Sequence, residues 1–255
     1  MKFIFLCLLS FCLFSCAGLE KETVKYKVDS VEHIGFIASG AKKGEKKPGI
    51  IVVHEWWGHN DYARKRALML AQEGYVAMSI DMYGQGKLAK HPSDAGAFSK
   101  KTMSNFPLAK QKFQKALEIL KQRDDVNPDK IVAIGYCFGG AVVLNMARAG
   151  VDLEMVASFH GGLDSLVKTK NIEPKILVFN GAADPFVSEK SIKNFKKEME
   201  QANANYLFKN YSDVKHSFTN PGADKLGEKF DLPLEYNAYA DKNSWKIFLD
   251  HLKQL

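Results

Sequence analysis

The chain has 255 residues, of which 46% are hydrophobic and 25% are charged, and its formal net charge at pH 7 is +7. This length and apolar content are enough for one large core, so we expect one domain rather than two. The lysines are scattered, without interleaved aromatic residues or a nucleic-acid motif, and we therefore expect no nucleic-acid partner.

The first fifteen residues have the pattern of a secretory signal peptide. One lysine precedes an apolar run that is too short for a comfortable membrane span. Leu13 and Ser15 before Cys16 resemble the lipobox of bacterial lipoproteins, in which this cysteine is acylated. We therefore expect export to the cell envelope and a membrane anchor at Cys16, with cleavage to a soluble protein as the alternative. Residues 16–25 would form a tether, and residues 26–255 would form the domain.

Apolar runs then alternate with segments of helical pattern. Apolar and polar residues do not alternate within these runs. Runs of this kind are typical of strands that are buried on both faces of a parallel sheet. Asn60 is placed to cap the helix that follows the strand at 49–53. The predicted strands are 23–28, 32–38, 49–53, 75–80, 131–134, 154–161, 175–181 and 205–211. The predicted helices are one after residue 60 and those at 93–103, 107–123, 138–149, 188–202 and 235–255. This alternation predicts an α/β fold, with a mostly parallel central sheet and helices on both faces.

Cys137 is the candidate nucleophile. It is the one cysteine outside residues 1–16, and an unpaired thiol in an exported protein requires a reason. Gly135 and Gly139 flank it in a G-x-C-x-G pattern between a predicted strand and a predicted helix, which is the pattern of a nucleophile elbow. Side chains at the two glycine positions would collide with neighbouring backbone, and the helix N-terminus favours the thiolate. Packing of a small apolar residue is the alternative.

A catalytic cysteine requires a base and a group that orients the base. Asp184 follows the predicted strand at 175–181, and His216 follows the one at 205–211. Their order along the chain, nucleophile then acid then histidine, is that of α/β-hydrolases. An aspartate that only forms a turn and a surface histidine are the alternatives.

Five motifs together resemble the dienelactone hydrolase family: "HEWWGHN" from 54, "DMYG" from 81, "GYCFGG" from 135, "GAADPFV" from 181 and "HSF" from 216. The resemblance runs from about residue 30 to the end of the chain. It implies an α/β-hydrolase that cleaves a carboxylic ester or lactone through a Cys-His-Asp triad and a thioester intermediate. Cys137 would be the nucleophile, His216 the base and Asp184 its partner, and no cofactor would be needed.

The resemblance also assigns roles around the triad. Glu55 holds the position of a glutamate that contacts the resting thiol and takes part in its activation. The backbone N–H groups of Trp56 and Phe138 would form the oxyanion hole. Founding members bind a substrate carboxylate with two arginines, whereas Gln85 and Asn220 stand at those positions here, which indicates a different substrate. The pocket is predicted to include Trp57, Tyr83, Gln85, Phe186 and Asn220, beside Trp56 and Phe138.

Other interpretations are weaker. His54, His59 and His160 lack the spacing of metal ligands, so we expect hydrogen-bonded loop histidines and no metal. The partners we expect are a small-molecule substrate and, through the anchor, a membrane, with the protein a monomer. An acyltransferase on the same triad is one alternative function. A surface binding protein and a peroxide-sensing thiol are the others.

Overall fold

The computed structural model describes residues 18–255. The predicted signal peptide at 1–15 and the predicted lipidation site Cys16 lie outside the described residues. Within 18–255, no helix is both long and apolar enough to cross a membrane.

Within residues 18–255, eight strands form one sheet in the order β1-β2-β4-β3-β5-β6-β7-β8. The strands β1 and β2 pair as an antiparallel hairpin, and β2 pairs antiparallel with β4, whereas every pairing from β4 to β8 is parallel. The strands are β1 Glu20–Val28, β2 Val31–Ser39, β3 Lys47–Val53, β4 Val76–Ile80, β5 Val126–Tyr136, β6 Met155–Phe159, β7 Lys175–Gly181 and β8 Tyr206–Tyr211. The predicted mostly parallel sheet is confirmed.

In the described part of the chain, seven helices accompany the sheet: α1 Asp61–Gln72, α2 Pro92–Ser104, α3 Phe106–Lys121, α4 Phe138–Arg148, α5 Glu189–Gln201, α6 Ala223–Phe230 and α7 Ala238–Leu252. The Asn60 side chain accepts from the N–H groups of Tyr62 and Ala63, so the predicted cap of α1 is confirmed. The short helix α6 was not predicted, because its N-cap is Gly222 and no side chain caps it.

The core has one layer on each face of the sheet. In β5, Ile131 and Ala133 belong to the layer that also holds Phe113 of α3 and Phe195 of α5. Alternate residues of β5 belong to the other layer, together with residues of α1 and α7. Because both faces are covered, the central strands are mostly apolar, as is usual for parallel strands.

The predicted tether is partly a strand. Residues 20–25 lie in β1, where Glu20 pairs with Ser39 and Lys25 with Ile34. The glutamates and lysines of β1 are mostly exposed because this strand is the edge of the sheet, and charged side chains are tolerated there. Ser39 pairs in turn with Val76, so Glu20 lies level with the amino end of β4.

Candidate active site

Cys137 lies in a sharp turn between β5 and α4. Its backbone has φ of 54° and ψ of −115°, which is rare for a residue with a side chain and costs on the order of 1–3 kcal/mol. A Cβ on Gly135 would lie 2.1 Å from the Gly139 carbonyl oxygen, and one on Gly139 would lie 2.3 Å from that of Val53. Both glycines are therefore required for the turn, which presents the Cys137 thiol at the start of α4.

His216 and Asp184 form a buried pair at the same edge of the sheet. Asp184 lies in the loop after β7, and its Oδ2 accepts a hydrogen bond of 2.7 Å from Nδ1 of His216, in the loop after β8. The other oxygen of Asp184 accepts a hydrogen bond of 2.9 Å from the Phe186 N–H, so both oxygens of the carboxylate are fixed. Because Nδ1 donates to Asp184, Nε2 is the ring nitrogen left to face the pocket that His216 shares with Cys137.

Two neighbouring groups raise the pKa of His216. Burial of the ring lowers its pKa, but the interactions with Cys137 and Asp184 outweigh burial and raise the pKa of His216 well above its usual value. A thiolate beside an imidazolium is the reactive form of a cysteine-histidine pair. The arrangement is therefore suited to nucleophilic attack by sulfur.

Glu55 is buried beneath the loop that carries His216. Its Oε1 accepts a hydrogen bond of 3.1 Å from Oγ of Ser217, and its Oε2 accepts one of 2.7 Å from Nδ2 of Asn220. Burial raises the pKa of Glu55, while these bonds and the His216 charge partly oppose that shift. Its carboxylate is thus directed to the 216–220 loop, and Glu55 does not line the pocket that holds Cys137.

A pocket of about 380 Å³ opens beside Cys137 and His216. It is lined mainly by apolar side chains, with Lys100 as the one charged lining residue besides His216. The lining residues are Trp56, Ser99, Lys100, Met103, Cys137, Phe138, Ala141, Gly162, Phe186, His216 and Leu234. Phe186 is 54% exposed and places its ring edge-to-face on His216, with ring centroids 4.9 Å apart.

Four predicted pocket residues lie elsewhere. Trp57 is buried, where it stacks on Phe230 and meets Trp56 edge-to-face, and it does not line the pocket. Gln85 is exposed in a turn, where its N–H donates to the carbonyl of Glu32. The Asn220 amide is held by Glu55, and its Oδ1 accepts from the Gly222 N–H. None of these three side chains reaches the pocket.

Tyr83, the fourth, supports the pocket from behind. Its hydroxyl donates to the Trp56 carbonyl at 2.9 Å, and its ring packs against Phe138 with centroids 5.4 Å apart. Tyr83 therefore joins the two segments whose N–H groups were predicted to form the oxyanion hole.

Helix α2 supplies pocket residues that the sequence did not suggest. Ser99 and Met103 lie four residues apart, on one face of α2, and Lys100 is adjacent. The spacing was visible in the sequence, but spacing alone does not say which element a helix face meets. Leu234 was missed because it follows α6, a helix that the sequence did not predict.

The remaining histidines are bonded within the protein. His54 Nε2 accepts from the Met82 N–H at 3.2 Å, and His59 Nε2 pairs with Oγ of Ser79 at 2.7 Å. Across residues 18–255, no cluster of three or more histidine, cysteine, aspartate or glutamate side chains is arranged to hold a metal ion.

Residues 35–255 match the model of the dienelactone hydrolase family. Protein usf from Aquifex pyrophilus is 29% identical, and the match covers 91% of this chain and 98% of that protein. A protein from Bradyrhizobium, named as a probable 2-oxo-3-(5-oxofuran-2-ylidene)propanoate lactonase, is 26% identical. That match covers 81% of this chain and 83% of the relative.

The fold is shared with a solved enzyme structure. The crystal structure of a dienelactone hydrolase-like promiscuous phosphotriesterase from metagenomic libraries superposes with a TM-score of 0.87 at 29% identity. The superposition covers 93% of this chain and 98% of that one. The predicted α/β-hydrolase fold is thereby confirmed.

Proposed function

We propose that this chain, which belongs to the dienelactone hydrolase family and is a carboxylic-ester hydrolase, cleaves its substrate through Cys137, His216 and Asp184. The observation that carries the proposal is the buried His216–Asp184 pair, with a bond of 2.7 Å, in one pocket with Cys137. Glu55 acts on this triad through the 216–220 loop, whose Ser217 and Asn220 it binds.

In the first half of the cycle, the Cys137 thiolate attacks the carbonyl carbon and the carbonyl electron pair moves to oxygen. Collapse of this tetrahedral species breaks the carbon–oxygen ester bond, and the leaving alkoxide takes a proton from the His216 imidazolium. The acyl group remains on sulfur as a thioester. In a lactone, the leaving oxygen stays within the same molecule.

In the second half, His216 is neutral and removes a proton from water, which attacks the thioester carbon. Collapse expels the Cys137 thiolate and releases a carboxylic acid, and His216 is again an imidazolium. The backbone N–H groups of Trp56 and Phe138 are the proposed donors to the oxyanion in both halves. The peptide that carries the Trp56 N–H is held by His54, whose Nδ1 bonds the Glu55 carbonyl, and Tyr83 holds the next peptide through the Trp56 carbonyl.

The pocket lining favours esters or lactones with a largely apolar acyl part. Trp56, Met103 and Phe186 are among the residues of its walls, and neither position of the family's arginine pair carries a positive charge here. The relative from Bradyrhizobium bears the name of a lactonase, which supports including lactones among the substrates tested.

Turnover of short-chain p-nitrophenyl esters and of unsaturated lactones by residues 18–255 tests this function. Wild type is expected to hydrolyse at least one class, and Cys137→Ala should abolish it. Mass spectrometry after rapid acid quench should find the acyl group on the peptide that contains Cys137. Activity that survives in Cys137→Ala would refute the proposal, and so would an acyl group on another residue.

Adding an alcohol to the assay distinguishes hydrolysis from acyl transfer, because the alcohol competes with water as the acyl acceptor. With water as the acceptor, the yield of free acid should equal the p-nitrophenol released, even at millimolar alcohol. Near-complete conversion to the alcohol ester would instead establish an acyltransferase.

We further propose that the protein is exported and anchored through an acylated Cys16. Support comes from the apolar run at 3–14 and the lipobox-like residues before Cys16. Expression of the full chain with an alkyne-modified fatty acid should label wild type and leave Cys16→Ala unlabelled. Equal labelling of both proteins, or of neither, would count against the anchor.

A further inference from the structure

His160 lies between the two halves of the candidate active site. It follows β6, which separates the elbow after β5 from the loops after β7 and β8. The side chain is fully buried, its backbone has φ of 41°, and its ring packs edge-to-face against His216 with centroids 5.2 Å apart. The mechanism above gives this residue no step.

One ring nitrogen of His160 binds the backbone of the nucleophile. The Cys137 N–H donates to the Phe159 carbonyl at 3.0 Å and to Nδ1 of His160 at 3.1 Å. A backbone N–H only donates, so Nδ1 must be unprotonated and the proton of the neutral ring must be on Nε2. Burial, followed by the charges of His216 and Arg66, holds the pKa of His160 well below its usual value, consistent with a neutral ring.

The other nitrogen binds the loop of the catalytic base. His160 Nε2 lies 2.7 Å from Oγ1 of Thr219, three residues after His216. Because Nε2 carries the proton, it donates and Oγ1 accepts. His160 thus joins the main chain of the nucleophile to the 216–220 loop, across the sheet position occupied by β6.

Thr219 is itself fixed to α1. Its hydroxyl lies 2.6 Å from the Tyr62 hydroxyl, and its carbonyl accepts from Nη2 of Arg66 at 2.5 Å. Arg66 is 3% exposed and also binds Asp241 at 2.6 Å. The loop therefore has a rigid support on the side opposite to its bond with His160.

We propose that His160, with Thr219, is a positioning residue that sets the separation between the Cys137 sulfur and His216. The inference rests on the proposed function, because a fixed separation matters only if these two side chains exchange a proton. The bridge acts on the Cys137 main chain at its strained turn and on the loop beyond His216. It hydrogen-bonds neither the Cys137 sulfur nor the His216 ring, although the His160 ring packs against the latter.

Thr219→Val removes the hydroxyl and keeps the shape of the side chain, whereas Thr219→Ser keeps the hydroxyl. Thr102→Val is the matched control, since Thr102 is also buried and its hydroxyl bonds only within α2, to the Phe98 carbonyl. The readouts are kcat and KM on a p-nitrophenyl ester, the rate of Cys137 alkylation by iodoacetamide from pH 5 to 9, and Tm.

Thr219→Val is expected to lower kcat by about 10- to 100-fold with KM within about twofold, since small displacements of reacting groups cost this much. Its alkylation profile should move to higher pH, because a displaced imidazolium stabilises the thiolate less. Thr219→Ser and Thr102→Val should match wild type in both readouts. His160→Asn, which keeps a short acceptor but cannot span to Thr219, should behave like Thr219→Val.

A lower Tm of Thr219→Val with unchanged kcat and an unchanged alkylation profile would overturn the proposal and leave a purely structural role. The alkylation measurement uses no ester. A shifted profile in a protein without ester turnover would therefore support the bridge while the proposed function failed. Normal turnover with an unshifted profile would reject the bridge alone.

Discussion

Cys137 has very different surroundings on its two sides. Towards the pocket it meets Trp56, Phe138 and residues of α2, which are apolar in the main and in part exposed. Towards β6 and the 216–220 loop it meets buried polar groups, each hydrogen-bonded to a partner far away in the sequence. Apolar contacts tolerate changes of shape, whereas a buried polar group that loses its partner costs the full desolvation penalty. Substitutions on the pocket side should change substrate preference, and those on the polar side should change rate or folding.

The largest expected effect is on the polar side, from Asp184→Asn. The amide group can donate to Nδ1 of His216 and so favour the ring tautomer with its proton directed at Cys137. We expect kcat/KM on an ester to fall by about 10³- to 10⁴-fold with the fold retained. The control is Asp213→Asn, at an exposed residue of the loop that carries His216, with φ of 58° that asparagine adopts readily. A loss below tenfold would show that Asp184 does not orient the base.

Acid should destabilise the fold through His59, which lies apart from this polar side and bonds Ser79 of β4. Burial, chiefly, lowers the pKa of His59 to about 3. An unfolded chain binds this proton near pH 6.5 and the folded one does not, so the stabilisation is complete above pH 6.5 and is lost as pH falls towards 3. Between pH 7 and pH 4, the loss from His59 alone should be about 3 kcal/mol.

Urea unfolding of His59→Asn at pH 7 and pH 4 checks this loss, since the variant should depend less on pH than wild type. His91→Asn is the control, because His91 is exposed and caps α2 in a position that suits asparagine. Equal pH dependence of wild type and His59→Asn would contradict the expectation.

The next effect compares two changes at Glu55. Glu55→Ala leaves Ser217 and Asn220 without their buried acceptor, so the His216 loop should shift and kcat should fall by about tenfold or more. Glu55→Gln can accept from Asn220 and donate to Ser217, and should stay within about threefold of wild type. Steady-state kinetics of both variants at pH 7 provide the measurement. A Gln variant as impaired as the Ala variant would indicate that the carboxylate charge itself takes part in activating the thiol.

The smallest effect should come from the pocket side, from Phe186→Ala. Removing a half-exposed ring from the wall should raise KM for an aromatic ester by about three- to tenfold. The change in kcat should be small, because Asp184 still holds His216. Tyr239→Ala, which truncates an exposed ring outside the pocket, should leave both constants unchanged. A decrease in kcat without a change in KM would show that Phe186 supports His216 and does not contribute to substrate binding.

Sequence reasoning was effective where a feature is local. The apolar strand runs, the Asn60 cap and Gly135 before Cys137 depend on neighbours within a few residues, and the structure places all three as predicted. Asp184 and His216 could be placed at one edge because each follows a parallel strand, and the carboxyl ends of parallel strands meet.

Features that depend on distant contacts could not be read in this way. Trp56 and Trp57 are adjacent and chemically alike, yet one lines the pocket and the other packs on Phe230. Asn220 was assigned to the pocket, but its partner Glu55 lies 165 positions away. The approach of α2 to the pocket likewise depends on tertiary packing, which leaves no periodic signal in the chain.

The position of Glu20 determines how the protein is oriented when it is immobilised through the chain ahead of this residue. Glu20 lies level with the amino end of β4, whereas Cys137, Asp184 and His216 follow the carboxyl ends of their strands. A support that is joined to the chain ahead of Glu20, such as a resin bead or a sensor chip, would therefore hold the protein at the end of the sheet opposite the candidate active site. The mouth of the pocket would then face the surrounding liquid. Immobilisation through this end should leave kcat/KM for small esters close to its value in free solution, whereas coupling through the exposed amine of Lys100 should obstruct the entrance.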